Sequence, residues 1–517
     1  MLSWFLGVAL AAPNTLTIAS ATDIGSLVPL LTENELDSAI VAATQRTLVG
    51  AAFDCRLAYS PEIAKEWSWS RDGLQLSMTL RDDLTFSDGH PITAEDVAYT
   101  YGLIGSEDLE TNQRSYVAGM VPKKRPLVID DHHLEWHFTE AYSQDTQLAH
   151  VGTVAILPAH LLTDVPARGI SGHTIARDPL ASGPWQVGDY QPGARLVLEP
   201  NLRHVEGRPH LEQVIFRVIP DYETRLHELK SGGVDVVADI HVGDLEALEA
   251  LPDIRLHRRG WRSVDYVAWN LKDPLFTDLR VRQALAKAVD VDRLINELLT
   301  IGETAFGKRS VGTFTPALCD LNDPALAPIA FAVDEAKAMM AAAGWVDADG
   351  DGVLDKGGKS FRFTLRTTRG NQRREAAAKR IKEMLAVIGV EVTVEAMETS
   401  QFFHRVEQGD FDAAMAGWSA ALFVDPSRMW KTKGSFNFPG YSSAVADDLI
   451  ARGLSTHDPK RAAKIWQKLQ ATIHADQPYL FLYWMDEFVA VNRRVEVAET
   501  TIFSPYDDLH RWRLRTP

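Results

Sequence analysis

The sequence predicts an α/β protein built from two lobes. At 517 residues the chain is too long for one hydrophobic core, so two or three compact units are expected. Residues 214–237 and 361–394 each follow the order strand, helix, strand, which is typical of a βαβ unit with parallel strands. Between these units, residues 269–299 change from a strand pattern to two helix patterns. The chain is therefore expected to cross from one lobe to the other in that segment.

The crossing segment carries clear start and stop signals. Its strand pattern reaches Asn270 and ends at Asp273-Pro274, a turn sequence. Asp278 and Asp290 are each placed to cap a helix, and each is followed by an apolar stripe with helical spacing. The first stripe consists of Val281, Ala284, Leu285 and Ala288, and the basic side chains predicted to lie off it are Arg280, Arg282 and Lys287.

Leu2 to Ala12 form an apolar run that is too short to span a bilayer. The run ends in Ala9-Leu10-Ala11, a small-x-small pattern typical of signal-peptide cleavage. The sequence therefore predicts a signal peptide over residues 1–12, with a buried first strand as the alternative.

Beyond it, the first half of the chain alternates strand patterns with turn sequences. A strand is predicted at 16–19, followed by an irregular loop from Thr22 and a helix over 36–48. Residues 52–169 read mainly as strands, with a hairpin turn at Asp72-Gly73 and one helix capped by Thr93 and Asp96. Near the other end, Asp458-Pro459 starts a helix and residues 478–491 are interpreted as a strand pair.

Composition excludes several classes of function. The chain has 70 acidic and 53 basic side chains, a formal charge of -17, which argues against binding nucleic acid or anionic lipid. No H-E-x-x-H or G-x-S-x-G sequence is present, so no familiar hydrolase motif is found. Cys55 and Cys319 lack metal-ligand spacing and are expected in different units, which favours two buried small side chains over a bridge.

Three segments together resemble the periplasmic dipeptide-, oligopeptide- and nickel-binding proteins, the family 5 solute receptors of ABC importers. The segments are Trp269 to Arg293, Asp88-Gly89 with the helix start after it, and Ser182-Gly183-Pro184-Trp185. The resemblance implies a type II periplasmic-binding-protein fold, with two α/β lobes joined by a hinge and an extra α+β subdomain. The implied boundaries are 13–52 with 172–262 and 487–517 for lobe I, 53–171 for the subdomain and 263–486 for lobe II.

The same resemblance implies a function. A family member is an extracytoplasmic or periplasmic monomer, not an enzyme, that binds a peptide or peptide-like solute between its lobes. It uses no cofactor, closes by a hinge motion and delivers its solute to the permease subunits of an ABC transporter. The alternatives are a secreted hydrolase on the same fold and a solute sensor that docks to a membrane receptor.

The resemblance also indicates ligand-binding residues. A Trp at the position of Trp418 is followed in the family by an Asp that holds the peptide ammonium, whereas here Ser419 follows it and the next Asp is Asp425. Asp425 takes the ammonium role or only caps the helix entered through Pro426. An Arg in the loop of Arg369 holds the peptide carboxylate in dipeptide-binding members, and Arg366, Arg373 and Arg374 compete for that role here. Asn270 and Thr22 complete the predicted set.

One motif suggests a metal. Asp347, Asp349, Asp351 and Gly352 form D-x-D-x-D-G, the first half of a calcium loop, and Asp355 follows. The twelfth position is Gly358, where such a loop requires Glu. No metal is therefore the prediction, with an acidic hairpin loop favoured over a structural calcium site.

Overall fold

The computed structural model describes residues 14–32, 34–419, 424–497 and 504–515, so the predicted signal peptide lies outside the described residues. The chain divides into two compact units. Unit 1 comprises Met1–Ile240, Ala247–Arg259 and Phe488–Pro517, and unit 2 comprises His241–Glu246 and Gly260–Glu487. The finer division of the first unit into a lobe and a subdomain stays a prediction. Among the described helices, none is long and apolar enough to cross a membrane.

Up to residue 269, groups of consecutive strands are separated by helices. The helices are α1 (Glu35–Thr44), α2 (Ala94–Gly105), α3 (Gln144–Gly152), α4 (Ala159–Leu162), α5 (Tyr222–Ser231) and α6 (Leu245–Glu249). The strands are β1 (Thr15–Ser20), β2 (Val49–Asp54), β3 (Arg56–Pro61), β4 (Ala64–Trp69), β5 (Gln75–Leu80), β6 (Met120–Val121), β7 (Leu127–Asp130), β8 (His133–Phe138), β9 (Trp185–Gln191), β10 (Arg195–Pro200), β11 (Gln213–Val218), β12 (Val236–Val237) and β13 (Ile254–Trp269).

After residue 269 the helices are longer and more numerous. They are α7 (Leu279–Ala288), α8 (Val291–Leu298), α9 (Val333–Ala342), α10 (Gln372–Ala386), α11 (Thr399–Glu407), α12 (Ser427–Trp430), α13 (Ala444–Ser455) and α14 (Pro459–Asp476). The strands are β14 (Thr300–Ile301), β15 (Thr304–Ala305), β16 (Gly307–Arg309), β17 (Asp355–Lys356), β18 (Lys359–Ser360), β19 (Arg362–Thr368), β20 (Glu391–Met397), β21 (Ala413–Ser419), β22 (Tyr479–Asn492), β23 (Val495–Glu496) and β24 (Arg513–Leu514).

The sheet of unit 1 is organised around β1. This strand pairs in parallel with β11 on one side and with β12 on the other. The predicted unit over 214–237 is confirmed as β11, α5 and β12, with β1 lying between its two strands. Large apolar side chains such as Trp185, Phe216 and Trp512 fill the core against this sheet.

A second core in unit 1 lies among β4, β5, β8 and α2, around the buried Trp136 and Tyr101. Two predictions are confirmed here. Gly73 adopts a φ of 70° in the turn between β4 and β5, and Thr93 and Asp96 form a capping box on α2. The strand interpretation of 52–169 is wrong for α3 and α4, where Ser143 caps α3 by accepting a hydrogen bond from the Thr146 N–H.

The sheet of unit 2 contains the second predicted βαβ unit. Strands β19 and β20 pair in parallel, with Arg362 opposite Glu391, and α10 connects them. Strand β21 is parallel to β19 and antiparallel to β13, with Ser263 opposite Ser419. The carboxyl ends of β19 and β21 therefore lie at one edge of this sheet, together with the Ser263 side of β13. The main core of the unit includes Trp269 and Phe276.

Two predicted elements differ from those observed. The helix predicted over 36–48 is α1, which ends at Thr44, because Gln45 is extended and its side chain donates to the carbonyl of Leu27. The strand pair predicted over 478–491 is the single strand β22. Asp486 does not break this strand, because its Oδ1 accepts the backbone N–H of Trp261 at 3.1 Å.

Arg282 and the two cysteines also differ from prediction. Asp278 and Asp290 cap α7 and α8 as expected. Arg282 on α7, which was predicted to lie off the apolar face, is buried instead. Its guanidinium donates to the carbonyl oxygens of Phe276 and Asp476. The prediction that Cys55 and Cys319 are buried and unbonded is wrong. Both are disulfide-bonded, and Cys55 is half-buried while Cys319 is exposed.

Candidate functional site

The candidate site lies in unit 2, at the sheet edge where β19 and β21 end. Trp418 and Ser419 are the last two residues of β21, and Arg369 directly follows β19. Ligand sites of open α/β sheets lie at the carboxyl ends of their parallel strands. The fold thus brings three of the predicted residues to the same edge.

Trp418 is the centre of a group of rings that we call the aromatic surface, formed by Trp418, Tyr266, Phe436 and Phe438. The Trp418 ring lies 6.2 Å from Tyr266, 5.3 Å from Phe436 and 5.8 Å from Phe438, measured between ring centroids. Trp418, Phe436 and Phe438 are only half-buried. Rings that are held in place yet accessible to solvent supply rigid contact area to a ligand.

The indole of Trp418 does not belong to the main core of unit 2. It packs, together with Trp261, against a separate small cluster formed by Val264 and Trp484. Trp261 has a φ of 54°, in the left-handed region that a bulky residue rarely adopts. Such backbone strain is concentrated at functional sites, so Trp261 joins the candidate residues. Apart from the Gly260-Trp261 pair, no pattern in the sequence around Trp261 indicates a functional residue.

Two arginines meet a buried aspartate beside the aromatic surface. Arg373 Nε donates to Asp265 Oδ2 at 3.0 Å, and Arg374 Nε donates to Oδ1 at 2.9 Å. Asp265 is fully buried, while the Arg373 and Arg374 side chains keep 28% and 18% of their surface exposed. Two guanidinium groups on one carboxylate give this group of three side chains a net charge of +1. Gly417, opposite Asp265, has no side chain that would collide with them.

The ionisation of these groups follows from their geometry. Burial alone would raise the pKa of Asp265, but Arg373 and Arg374 outweigh burial and hold that pKa below its usual value. Burial would likewise lower the pKa of Arg373, and Asp265 more than offsets that effect. Asp265 and Arg373 are therefore both charged at neutral pH.

Arg369 lies in the exposed loop between β19 and α10. One guanidinium nitrogen, Nη2, donates to the carbonyl of Ala396 at 3.2 Å. Gly370 has a φ of 90°, which only glycine adopts easily, and Asn371 caps α10 by accepting the Arg374 N–H. The loop therefore has a defined backbone while its arginine stays accessible.

Asp425 lies just after the segment 420–423, which is outside the described residues. Its Oδ1 accepts the backbone N–H of Ser427 at 3.0 Å, at the start of α12. The capping interpretation of Asp425 therefore has a hydrogen bond in its support, and the ammonium role stays a prediction.

Asn270 is not brought to this edge. Its amide donates to the carbonyl oxygens of Gly409 and Phe411, at the end of β13 opposite to Val264 and Trp418. Six residues at roughly 3.3 Å each separate Val264 from Asn270, about 20 Å along the strand. Asn270 closes a turn at some distance from Trp418, and a ligand role for Asn270 stays a prediction.

Thr22 belongs to unit 1, in the exposed loop that follows the carboxyl end of β1. The carbonyl of Thr22 accepts the hydroxyl of Ser20 at 2.7 Å. Further along this loop, the buried Asp37 accepts the backbone N–H groups of Gly25 and Ser26. The loop is fixed by these bonds, and a ligand role for Thr22 stays a prediction.

The acidic side chains of the loop at 347–355 lie close to one another. Ligand oxygens of Asp347, Asp349 and Asp355 lie within 4.8 Å of one another, whereas the Asp351 carboxylate pairs with Arg362 at 3.0 Å. Asp347 accepts two backbone N–H groups of the same loop, as an acidic turn requires without any ion. The calcium assignment stays untested.

Comparison with known proteins settles the family. The model of the bacterial extracellular solute-binding proteins, family 5, matches residues 58–440. The chain belongs to this family. A curated family 5 relative, the oligopeptide-binding protein AppA of Bacillus subtilis, is 32% identical over 434 residues, which cover 82% of this chain and 78% of AppA.

Solved structures of family 5 proteins share the fold. The structure of AppA from Bacillus subtilis in complex with a nonapeptide superposes with a TM-score of 0.86 at 27% identity, covering 97% of this chain and 99% of AppA. NikZ from Campylobacter jejuni, in complex with Ni(L-His), gives a TM-score of 0.84 at 20% identity, covering 96% and 99%. The chain therefore has the type II periplasmic-binding-protein fold and is a family 5 solute-binding protein.

Proposed function

We propose that this family 5 protein is an extracytoplasmic receptor that binds an extended peptide and delivers it to an ABC permease. The observation that carries the proposal is the juxtaposition of the aromatic surface with arginine side chains at the carboxyl-end edge of the unit 2 sheet. Aromatic rings accept the varied side chains of a peptide, and guanidinium groups bond to its carboxylates. The 27% identity to a protein solved with a nonapeptide supports a peptide as the ligand.

Arg369 is the arginine that we assign to the ligand carboxylate. Its three competitors are already engaged: Arg366 pairs with Glu395 at 2.9 Å, and both Arg373 and Arg374 pair with Asp265. Among the described residues, no carboxylate pairs with Arg369, whose guanidinium donates only to a backbone carbonyl. Because a guanidinium offers five N–H groups, Arg369 keeps donors for a carboxylate.

The peptide ammonium has no equally well-supported partner. Asp425 is the assigned candidate, and its Oδ1 caps the start of α12. Ser419 and Trp418 complete the proposed site in unit 2, and Thr22 is the residue proposed in unit 1. A ligand that lacks a free amine would make the Asp425 assignment unnecessary.

Native mass spectrometry of the purified protein tests the proposal directly, because a tight receptor retains its ligand through purification. Addition of a synthetic peptide library, followed by calorimetry with the retained peptide, should give saturable binding at one peptide per chain. The peptide should be recovered intact after prolonged incubation. Cleaved peptide would favour the hydrolase alternative, and a retained ligand without peptide bonds would overturn the peptide assignment.

A further inference from the structure

Three side chains of types that can ligate a metal lie close together in unit 1, far in sequence from the proposed peptide site. They are Asp88, His90 and His160, whose ligand atoms all lie within 4.8 Å of one another. Asp88 Oδ2 lies 2.9 Å from His160 Nε2, and the rings of His90 and His160 stack at 3.9 Å with 10° between their planes. Two imidazoles and one carboxylate thus face the same small volume.

The turn that carries Asp88 and His90 is held in one conformation. The Phe86 N–H donates to the His90 carbonyl at 2.9 Å, and Gly89 adopts a φ of 96°. Asp88 Oδ1 accepts the His90 N–H at 2.9 Å, which directs the other oxygen, Oδ2, towards His160. The turn is tied to a distant segment through the bond from the Ser87 N–H to the Ala181 carbonyl.

The segment that carries His160 is fixed independently. The Ala159 N–H donates to Oδ1 of the buried Asp96 at 2.8 Å, and the Tyr99 hydroxyl donates to the Leu162 carbonyl at 2.8 Å. Both anchors are on α2, so the short helix α4 cannot slide relative to it. The His160 ring also lies 5.8 Å from the buried ring of Phe86. The ligand atoms are therefore brought together by two rigid segments that are 72 residues apart.

We propose that Asp88, His90 and His160 bind a divalent first-row transition metal ion such as Zn²⁺. Imidazole nitrogens and a carboxylate oxygen are the ligands that zinc accepts, at about 2.0–2.2 Å each. A tetrahedral ion with such bonds needs ligand atoms roughly 3.3 Å apart, a value between the observed 2.9 Å and the 4.8 Å limit. Because the nitrogen lone pairs lie in the ring planes, binding requires the stacked His90 and His160 rings to tilt out of their parallel arrangement towards the ion.

Two imidazole nitrogens favour a transition metal ion such as Zn²⁺ over calcium or magnesium, because calcium and magnesium prefer oxygen ligands. With neutral imidazoles the three ligands carry one negative charge, so a dication is attracted. The Arg203 guanidinium lies beside Gly89, where a Cβ on that glycine would be 3.2 Å from it, and it moderates this attraction. The His160 and Asp88 side chains are 20% and 35% exposed, which leaves room for an ion and a water ligand. A bound ion would link the turn that carries Asp88 and His90 to the helix α4 that carries His160.

The experiment measures Zn²⁺ binding to the full chain, first stripped with EDTA, by competition with a chromophoric chelator. Compared with the wild type, the double variant His90→Ala/His160→Ala should bind one Zn²⁺ fewer, or bind that ion more than about 100-fold more weakly, since loss of even outer-shell partners costs 10–100-fold. Asp88→Asn, which keeps the acceptor for the His90 N–H, should weaken binding of the same ion at least about tenfold. His133→Ala is the matched control, because it removes an exposed His that pairs with Asp130 and is not one of the three proposed ligands.

Thermal unfolding in EDTA establishes that each variant is folded before titration. Crystals of the wild type soaked in Zn²⁺ should give an anomalous peak between the three side chains, a result that requires no variant. Equal stoichiometry and affinity in the wild type and the double variant would overturn the proposal, as would an anomalous map without a peak at this site. Because no peptide is present, the outcome is independent of the proposed peptide function.

Discussion

Replacement of Trp418 by Ala separates a ligand contact from a core residue. Trp418 is half-buried, has Tyr266, Phe436 and Phe438 as ring neighbours, and lies outside the main core of unit 2. Aromatic pairs contribute about 0.5–1.5 kcal/mol each, and a half-exposed ring gains less than a buried one. We therefore expect Trp418→Ala to lower the free energy of unfolding of the ligand-free protein by about 2 kcal/mol.

The same substitution should weaken peptide binding by more than it weakens folding. A rigid aromatic anchor at a binding surface contributes 2 kcal/mol or more, roughly a thirtyfold change in Kd or greater. Calorimetry gives the change in Kd, and thermal or denaturant unfolding gives the change in stability. Trp269→Ala is the control, because Trp269 is fully buried in the main core and should cost about 3–5 kcal/mol of stability. A stability loss as large as that of the control, with unchanged peptide affinity, would return Trp418 to a structural role.

Three further substitutions test the charged edge beside this surface. Arg369→Ala should weaken binding of a peptide with a free carboxylate at least about tenfold, ~1.4 kcal/mol, and leave binding of a C-terminally amidated peptide unaffected. The control Arg366→Ala should not discriminate between the two peptides. Equal losses for both peptides with Arg369→Ala would refute the assignment. Gly417→Ala adds a carbon 2.6 Å from Asp265 Oδ1, so unfolding studies should show a loss of roughly 1–3 kcal/mol, and a neutral result would contradict the close packing. The pKa of Asp265 is lowered by folding, so its stabilisation is present above the unfolded pKa of about 3.9 and is lost as the pH falls through the folded value. Asp265→Asn should therefore lower the free energy of unfolding at pH 7, by at most roughly 3–5 kcal/mol, and the variant should lose less stability than the wild type as the pH falls below about 4. An equal acid-induced loss in both proteins would show that Asp265 is not the titrating group.

The elements of the fold could be predicted where the signal is local. Both βαβ units, the caps at Asp278 and Asp290 and the turn at Gly73 follow from periodicity and turn chemistry within a few residues. The errors arose where a distant partner decides the conformation. The helix α1 ends early because Gln45 bonds to Leu27, and nothing near Gln45 in the sequence indicates that contact.

Charged residues were the hardest to place. Arg282 looks like a solvated residue on an amphipathic helix, yet its guanidinium bonds to carbonyl oxygens at a turn and at the end of α14. Asp265 is similarly hidden, since it interrupts an apolar strand without any motif around it. Periodicity treats every charged side chain as exposed, whereas a buried one is stable when a second charge or several carbonyl oxygens compensate for the lost water.

The candidate site shows the same division between local and distant signals. Trp418 was indicated by the family resemblance and Arg369 by its place just past a strand of a βαβ unit. Both lie at the carboxyl-end edge of the unit 2 sheet, and their ligand roles stay predictions. Asn270 lies in the same recognisable segment as Asp278, and family resemblance in a sequence does not show at which edge of the sheet a residue lies. Its position at the opposite end of β13 from Trp418 follows only from the register of Trp269 with Ala413.

The residues that sequence reasoning missed share one property: their neighbours come from different elements. Phe436 and Phe438 contact Trp418 across 18 and 20 residues, and Trp261 on β13 packs against the same cluster of Val264 and Trp484 as Trp418 does. None of these aromatic residues has a spacing that marks it, because a surface assembled from loops and strand ends has no period. The left-handed backbone of Trp261 is the strongest physical sign of function among them, since strain at a bulky residue persists only where the surrounding contacts enforce it.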